Sequence, residues 1–135
     1  FKNLLPHDNI HVWNGFGQVD QLNKKNTWRR KANELSREAF IARLAPDIVL
    51  ITSLLEGLSD NAVTSIGKLN SAVKTAVILY DLIPLINPKE YLSNPVISNW
   101  YFEKIDNLKR ADLLLAISES SRQESIQYLG ISPSN

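Results

Sequence analysis

The sequence contains no cysteine, no methionine and only two histidines. Without cysteine there is no disulfide, no thiolate metal site and no cysteine nucleophile, and a reducing compartment is permitted. Both histidines, His7 and His11, lie near the start, which disfavours a Ser-His-Asp hydrolase. Their spacing matches a helical zinc pair, but Pro6 precedes them, Ile10 to Trp13 reads as extended, and no Glu follows His7. No metal is therefore expected. Charge of one sign is also missing: fifteen Lys and Arg stand against fourteen Asp and Glu, a net +1. That balance lacks the electrostatic footprint of a nucleic-acid binder. Apolar runs stop at about six residues, against the ~20 of a membrane-spanning helix, and no signal peptide is expected. Glycine is scarce, and Gly15-Phe16-Gly17 lacks the third glycine of a dinucleotide fingerprint. A chain that opens at Phe1 and holds no Met reads as a fragment of a longer product.

What remains has the composition of one globular domain: 135 residues, 44% hydrophobic and 21% charged. Three short apolar runs punctuate it, Asp47 to Thr52, Thr75 to Tyr80 and Leu113 to Ile117. None alternates apolar with polar, as a half-wet strand would, so they read as parallel strands covered by helices on both faces. A weaker strand is expected at Ile10 to Trp13. Between the runs, Asn26 to Leu44 reads as a helix. Trp28, Ala32, Leu35, Ala39 and Ala42 form its inward stripe, with Arg30, Asn33, Glu34, Arg37 and Glu38 toward water. Pro46 closes it. A second helix is expected from the Asp60-Asn61 cap to Leu69, a third from Val96 to Arg110, and a fourth from the serine cluster to Gly130. Ser120 with Gln123, or Ser121 with Glu124, would box its start. The order predicts an α/β fold with a Rossmann-like doubly wound parallel sheet, a single partial domain over 1–135.

Ligands of such sheets bind beyond the carboxyl ends of the strands. Here those ends carry Glu56, then Tyr80-Asp81, then Ser118 with Arg122. The plain alternatives are that Ser118 is a helix N-cap and that Asp81 caps its own loop. The loop from Leu82 to Val96, stiffened by Pro84, Pro88 and Pro95, has the length of a binding loop. Tyr91, Trp100 and Tyr101 are candidates for aromatic faces against a sugar ring, although at least one of the last two belongs in the core.

Three segments in this order carry a resemblance: Pro46-Asp47-Ile48-Val49, Tyr80-Asp81-Leu82-Ile83-Pro84-Leu85, and Arg110-Ala111-Asp112 through Ala116-Ile117-Ser118-Glu119-Ser120-Ser121-Arg122. Together they resemble the N-terminal half of group 1 glycosyltransferases (family 4, retaining, GT-B fold). The resemblance implies a two-domain enzyme that passes a hexose from a nucleotide-sugar to a glycan or lipid-linked acceptor, with neither metal nor other cofactor. It implies that Asp81 faces the cleft as the catalytic-side carboxylate. Glu56, Tyr80, Pro84, Tyr91, Ser118 and Arg122 would border the acceptor. It also implies work in the cytoplasm or at the inner membrane face, without nucleic acid. Tyr80 stands where many members have His. The family's donor-binding glutamates, separated by seven residues, have no counterpart: eight positions after Glu56 comes Thr64. The donor half is therefore expected elsewhere, and this piece alone is expected to be inactive. The competing readings are a receiver-like flavodoxin module, with Asp81 as phosphoacceptor, and a plain dimerisation or binding domain.

Overall fold

A computed structural model of the chain describes residues 5–69 and 72–132. Among these, β1 (Ile48–Ile51), β2 (Lys74–Leu79) and β3 (Leu113–Ala116) form one sheet in the order β1-β2-β3. Both pairings are parallel: Ile48 opposes Lys74, Leu50 opposes Ala76, and Ala76 opposes Leu113. Parallel pairing brings all three carboxyl ends to one edge. The chain is thus α/β, and its three apolar runs are strands within a residue of their expected limits.

The connections depart from expectation in an informative way. No helix forms from Asp60 to Leu69. Asp60 instead accepts the Ala62 N–H at 2.6 Å, and Asn61 accepts the Val19 N–H at 2.9 Å. These side chains satisfy backbone groups in a non-helical path. Gly57 and Gly67 bracket that path with φ of 87° and 68°. Residues 52–69 are consequently a long irregular segment. The expected structureless loop after β2 is instead helical, as α2 (Ile83–Ile86) and α3 (Pro88–Tyr91). Pro84 and Pro88 each occupy a first turn, where the missing N–H would have no helical partner anyway. α4 (Pro95–Leu108) follows, with Asn94 accepting the Val96 N–H as its cap. α5 (Glu119–Glu124) runs into a π-helical turn, Ser125–Leu129, and ends at Gly130 with φ 68°. Its cap is Ser118 itself, so neither box based on Ser120 or Ser121 is used. The stretch from Ile10 to Trp13 is irregular rather than a strand.

α1 (Thr27–Arg43) has the expected span, but over its first half the polar side faces inward, while Ala32, Ala39 and Ala42 of the expected stripe are partly buried. Trp28 is 64% exposed and Leu35 45%, whereas Arg30, Asn33 and Glu34 are buried. The polar face docks because partners await it. Asn33 accepts the Phe16 N–H and donates to the Phe16 and Arg29 carbonyls. Glu38 accepts from Ser65 Oγ and the Leu69 N–H, at 2.5 and 2.6 Å. Arg30 faces Glu103 at 3.8 Å. Ala45 then turns left-handed at φ 47°, because Pro46 disfavours a further helical residue before it.

The core gathers Ile51, Val77 and Leu79 from one face of the sheet with Leu54, Ile66, Leu82, Tyr101, Ile105, Leu108 and Leu129. Tyr101 is 2% exposed and belongs to this core rather than to a sugar platform. The other face carries Ile48, Leu50, Leu113, Leu115 and Ile117, all substantially exposed among the described residues. Helical cover is therefore observed on one face. Among the described residues no helix is long and apolar enough to cross a membrane.

Candidate functional site

Each strand end delivers polar groups to the shared edge, and short side chains lock them in place. Beyond β1, Ser53 Oγ donates to Glu56 Oε1 at 2.6 Å. The Glu56 carbonyl accepts from Trp100 Nε1 on α4 at 3.3 Å. Beyond β2, Tyr80 is half exposed, and its carbonyl accepts from Ser121 Oγ at 2.5 Å. Asp81 accepts the Ile83 N–H through Oδ1 at 3.1 Å, opening α2. Its second oxygen has no hydrogen bond among the described residues. The next amide, of Leu82, donates to Glu124 Oε2 at 3.3 Å. Beyond β3, Ser118 Oγ accepts the Ser121 N–H at 3.1 Å and lies 3.0 Å from Ser121 Oγ.

Ser121 thus ties the tips of β2 and β3 together, and the plain capping roles of Ser118 and Asp81 are both realised. Capping leaves Asp81 exposed. Ser53, Tyr80 and Asp81 line one crevice floored by Leu54, Val77 and Leu79. Ser118, Glu119 and Arg122 line an open cleft of about 470 Å3 beside β3. Arg122 Nη1 donates to Glu119 Oε1 at 2.8 Å. The hydrogen bond from Gln123, aided by Arg122, holds the Glu119 carboxyl below the usual range. Glu56 sits on the α4 side with Trp100 and Lys104 and reaches the Asp81 crevice only through Ser53. Pro84 lies in the first turn of α2, and half-exposed Tyr91 ends α3; neither lines these two clefts.

Lys104 went unnoticed in the sequence. It stands three residues after Tyr101, on the inward face of α4, so a cation at a core position was the available signal. It is 7% exposed, and burial lowers its pKa to about 8 despite nearby Glu34. Burial likewise raises the Glu34 carboxyl and pushes the Tyr101 hydroxyl up to about 12. Chemically, the edge offers carboxylates and hydroxyls that accept or donate hydrogen bonds to a polyhydroxylated ligand. No cluster of metal-ligating side chains occurs among the described residues.

Three curated Escherichia coli proteins, each named serotype-specific mannosyltransferase WbdA, are similar to this chain. They are 36%, 36% and 35% identical to it over 131 residues. The matched stretch is 97% of this chain but 16% of each relative, so the chain spans a minor part of their length. No family model and no solved structure matches the chain.

Proposed function

We propose that this chain is the acceptor-side part of a retaining glycosyltransferase of GT-B type, its sheet extended into a doubly wound Rossmann-like domain. The donor nucleotide-sugar is held by a separate half of the same protein. The transferred sugar is a hexose, and the relatives' name makes mannose the first choice. The acceptor is a glycan or lipid-linked glycan met in the cytoplasm or at the inner membrane face. By itself the chain does not transfer sugar, because donor and acceptor must be held together in attack geometry.

The observation that carries this reading is the convergence of three parallel strand ends on one polar edge, in a chain similar to mannosyltransferases over nearly its whole length. The free oxygen of Asp81 orients the acceptor hydroxyl while its other oxygen stays on the Ile83 amide. Ser118 and Arg122 border the same edge, Tyr80 presents its ring beside Asp81, and Glu56 supplies a second carboxylate through the Ser53 turn. Pro84 fixes the start of α2, and Tyr91, half exposed at the end of α3, offers a ring to the acceptor's more distant sugars.

The test is sugar transfer by a longer polypeptide carrying this chain and a donor-binding half. Asp81→Ala is expected to lower turnover at least tenfold, about 1.4 kcal/mol in barrier. Asp81→Asn retains an oxygen able to cap Ile83, and it is expected to lose activity as well. Wild-type turnover in a correctly folded Asp81→Asn variant would overturn the assignment.

A further inference from the structure

The segment from 52 to 69 has no helix or strand of its own, yet it carries Ser53 and Glu56. Glu38 of α1 and the Val19 backbone hold part of it from outside, and α4 holds more through three side chains spaced four and three residues apart. Trp100 Nε1 donates to the Glu56 carbonyl, and Asn107 Oδ1 accepts the Ile66 N–H at 2.9 Å. Between them, Lys104 Nζ donates to the Thr64 carbonyl at 2.8 Å and to Thr64 Oγ1 at 2.5 Å. A hydroxyl that accepts from an ammonium has its own proton directed elsewhere, and Thr64 Oγ1 donates to the Leu54 carbonyl at 2.7 Å. The ammonium therefore clamps the outgoing and returning arms of the segment against each other. The outgoing arm is caught between Ser53 and Glu56. A methionine of similar length would fill this space without the cost of burying a charge.

We infer that Lys104 is a positioning residue for the acceptor edge: through Thr64 and Leu54 it sets where the Ser53–Glu56 pair stands. This rests on the acceptor-side reading above. The lysine touches no substrate. It determines how well the Glu56 carboxylate is aimed before the acceptor arrives, so its loss weakens acceptor capture more than it slows the bound complex.

Kinetics of the longer polypeptide, with a mannose-bearing sugar nucleotide and a manno-oligosaccharide acceptor, test this. Lys104→Met and Thr64→Val are each expected to raise the acceptor KM about tenfold with kcat changed less than about twofold. The double variant is expected to be no worse than either, since both break one chain of hydrogen bonds. Lys104→Arg, which keeps a donor, recovers part of the loss. Glu56→Gln separates the two layers of the argument. If Glu56→Gln raises the acceptor KM while Lys104→Met and Thr64→Val leave it unchanged, the positioning role is overturned and the site stands. Should Glu56→Gln itself change nothing, the site is wrong and the role of Lys104 falls with it. Additive effects in the double variant, or loss of the far-ultraviolet dichroism of both single variants, would make Lys104 a purely structural residue and overturn the inference.

Discussion

Leu79 and Leu115 are the same residue type on neighbouring strands of one sheet, facing opposite ways. Leu79 lies at 4% exposure under α4, and Leu115 stands at 42% on the other side. Around Leu79 are Val77, Ile105 and Leu108, while Leu115 opposes Ile78 and shares its face with exposed Leu113 and Ile117 along its own run and with exposed Ile48 and Leu50 on the far side of β2. Both faces are equally apolar, so composition does not separate them. What separates them is whether a helix crosses over, and the helices between β1 and β3 all follow β2. The same lesson holds for α1, whose polar side is buried because Phe16, Ser65, Leu69 and Glu103 offer partners there. Hydrophobicity alone does not choose the buried side when hydrogen bonds are available to the other.

Denaturant titration of alanine variants exposes the contrast most strongly. Leu79→Ala is expected to cost about 2–5 kcal/mol, the range for a buried leucine that leaves a cavity. Leu115→Ala should stay within about 1 kcal/mol. Equal costs would mean that the second face is covered too. Between these extremes, Asn33→Ala is expected to cost about 1–3 kcal/mol, since it removes a fully buried amide and leaves part-buried backbone groups of Phe16 without their partner, whereas Leu35→Ala changes stability by about 0.5 kcal/mol or less. The reverse order would restore the apolar-inward helix that the sequence suggests.

A second contrast is electrostatic, because the covered side also buries Lys104 among Glu34, Arg30 and Arg37 of α1 and Glu103 of α4. Its folded pKa, about 8, lies below the unfolded 10.5, so the unfolded chain binds more protons between those values. Stability is therefore expected to rise from about pH 8 toward pH 10, by at most about 3 kcal/mol. Above pH 10 Tyr101 opposes the gain: its pKa is raised to about 12, and the stability it contributes is lost as pH climbs through that value. Urea midpoints at pH 8 and 10 measure the rise, and Lys104→Met should flatten it. A falling midpoint over that interval in the wild type would contradict the burial of an ammonium under α1.

Much of the scaffold was legible from local chemistry. Continuous Ile, Val and Leu runs marked the strands, Pro46 marked the end of α1, and Gly130 marked the left-handed stop after α5. The errors arose where distant partners decide. Asp60 and Asn61 look like a helix cap, but Val19, forty-two positions before Asn61, takes up the asparagine. Three prolines suggest an open loop, yet two of them start short helices that a first turn tolerates. Strand-end logic placed Asp81 and Ser118 just beyond β2 and β3, as they are. It gave no hint of Ser121 as the tie between them, because that bond runs to a backbone carbonyl forty-one residues away.

The most direct test is hydrogen exchange in the longer polypeptide, with and without a saturating manno-oligosaccharide acceptor. Added protection is expected at residues 53–56, 80–83 and 118–122, the three strand ends, with α1 unchanged. Protection confined to other parts of the chain, or none while the acceptor is demonstrably bound, would contradict an acceptor edge built from these strand ends.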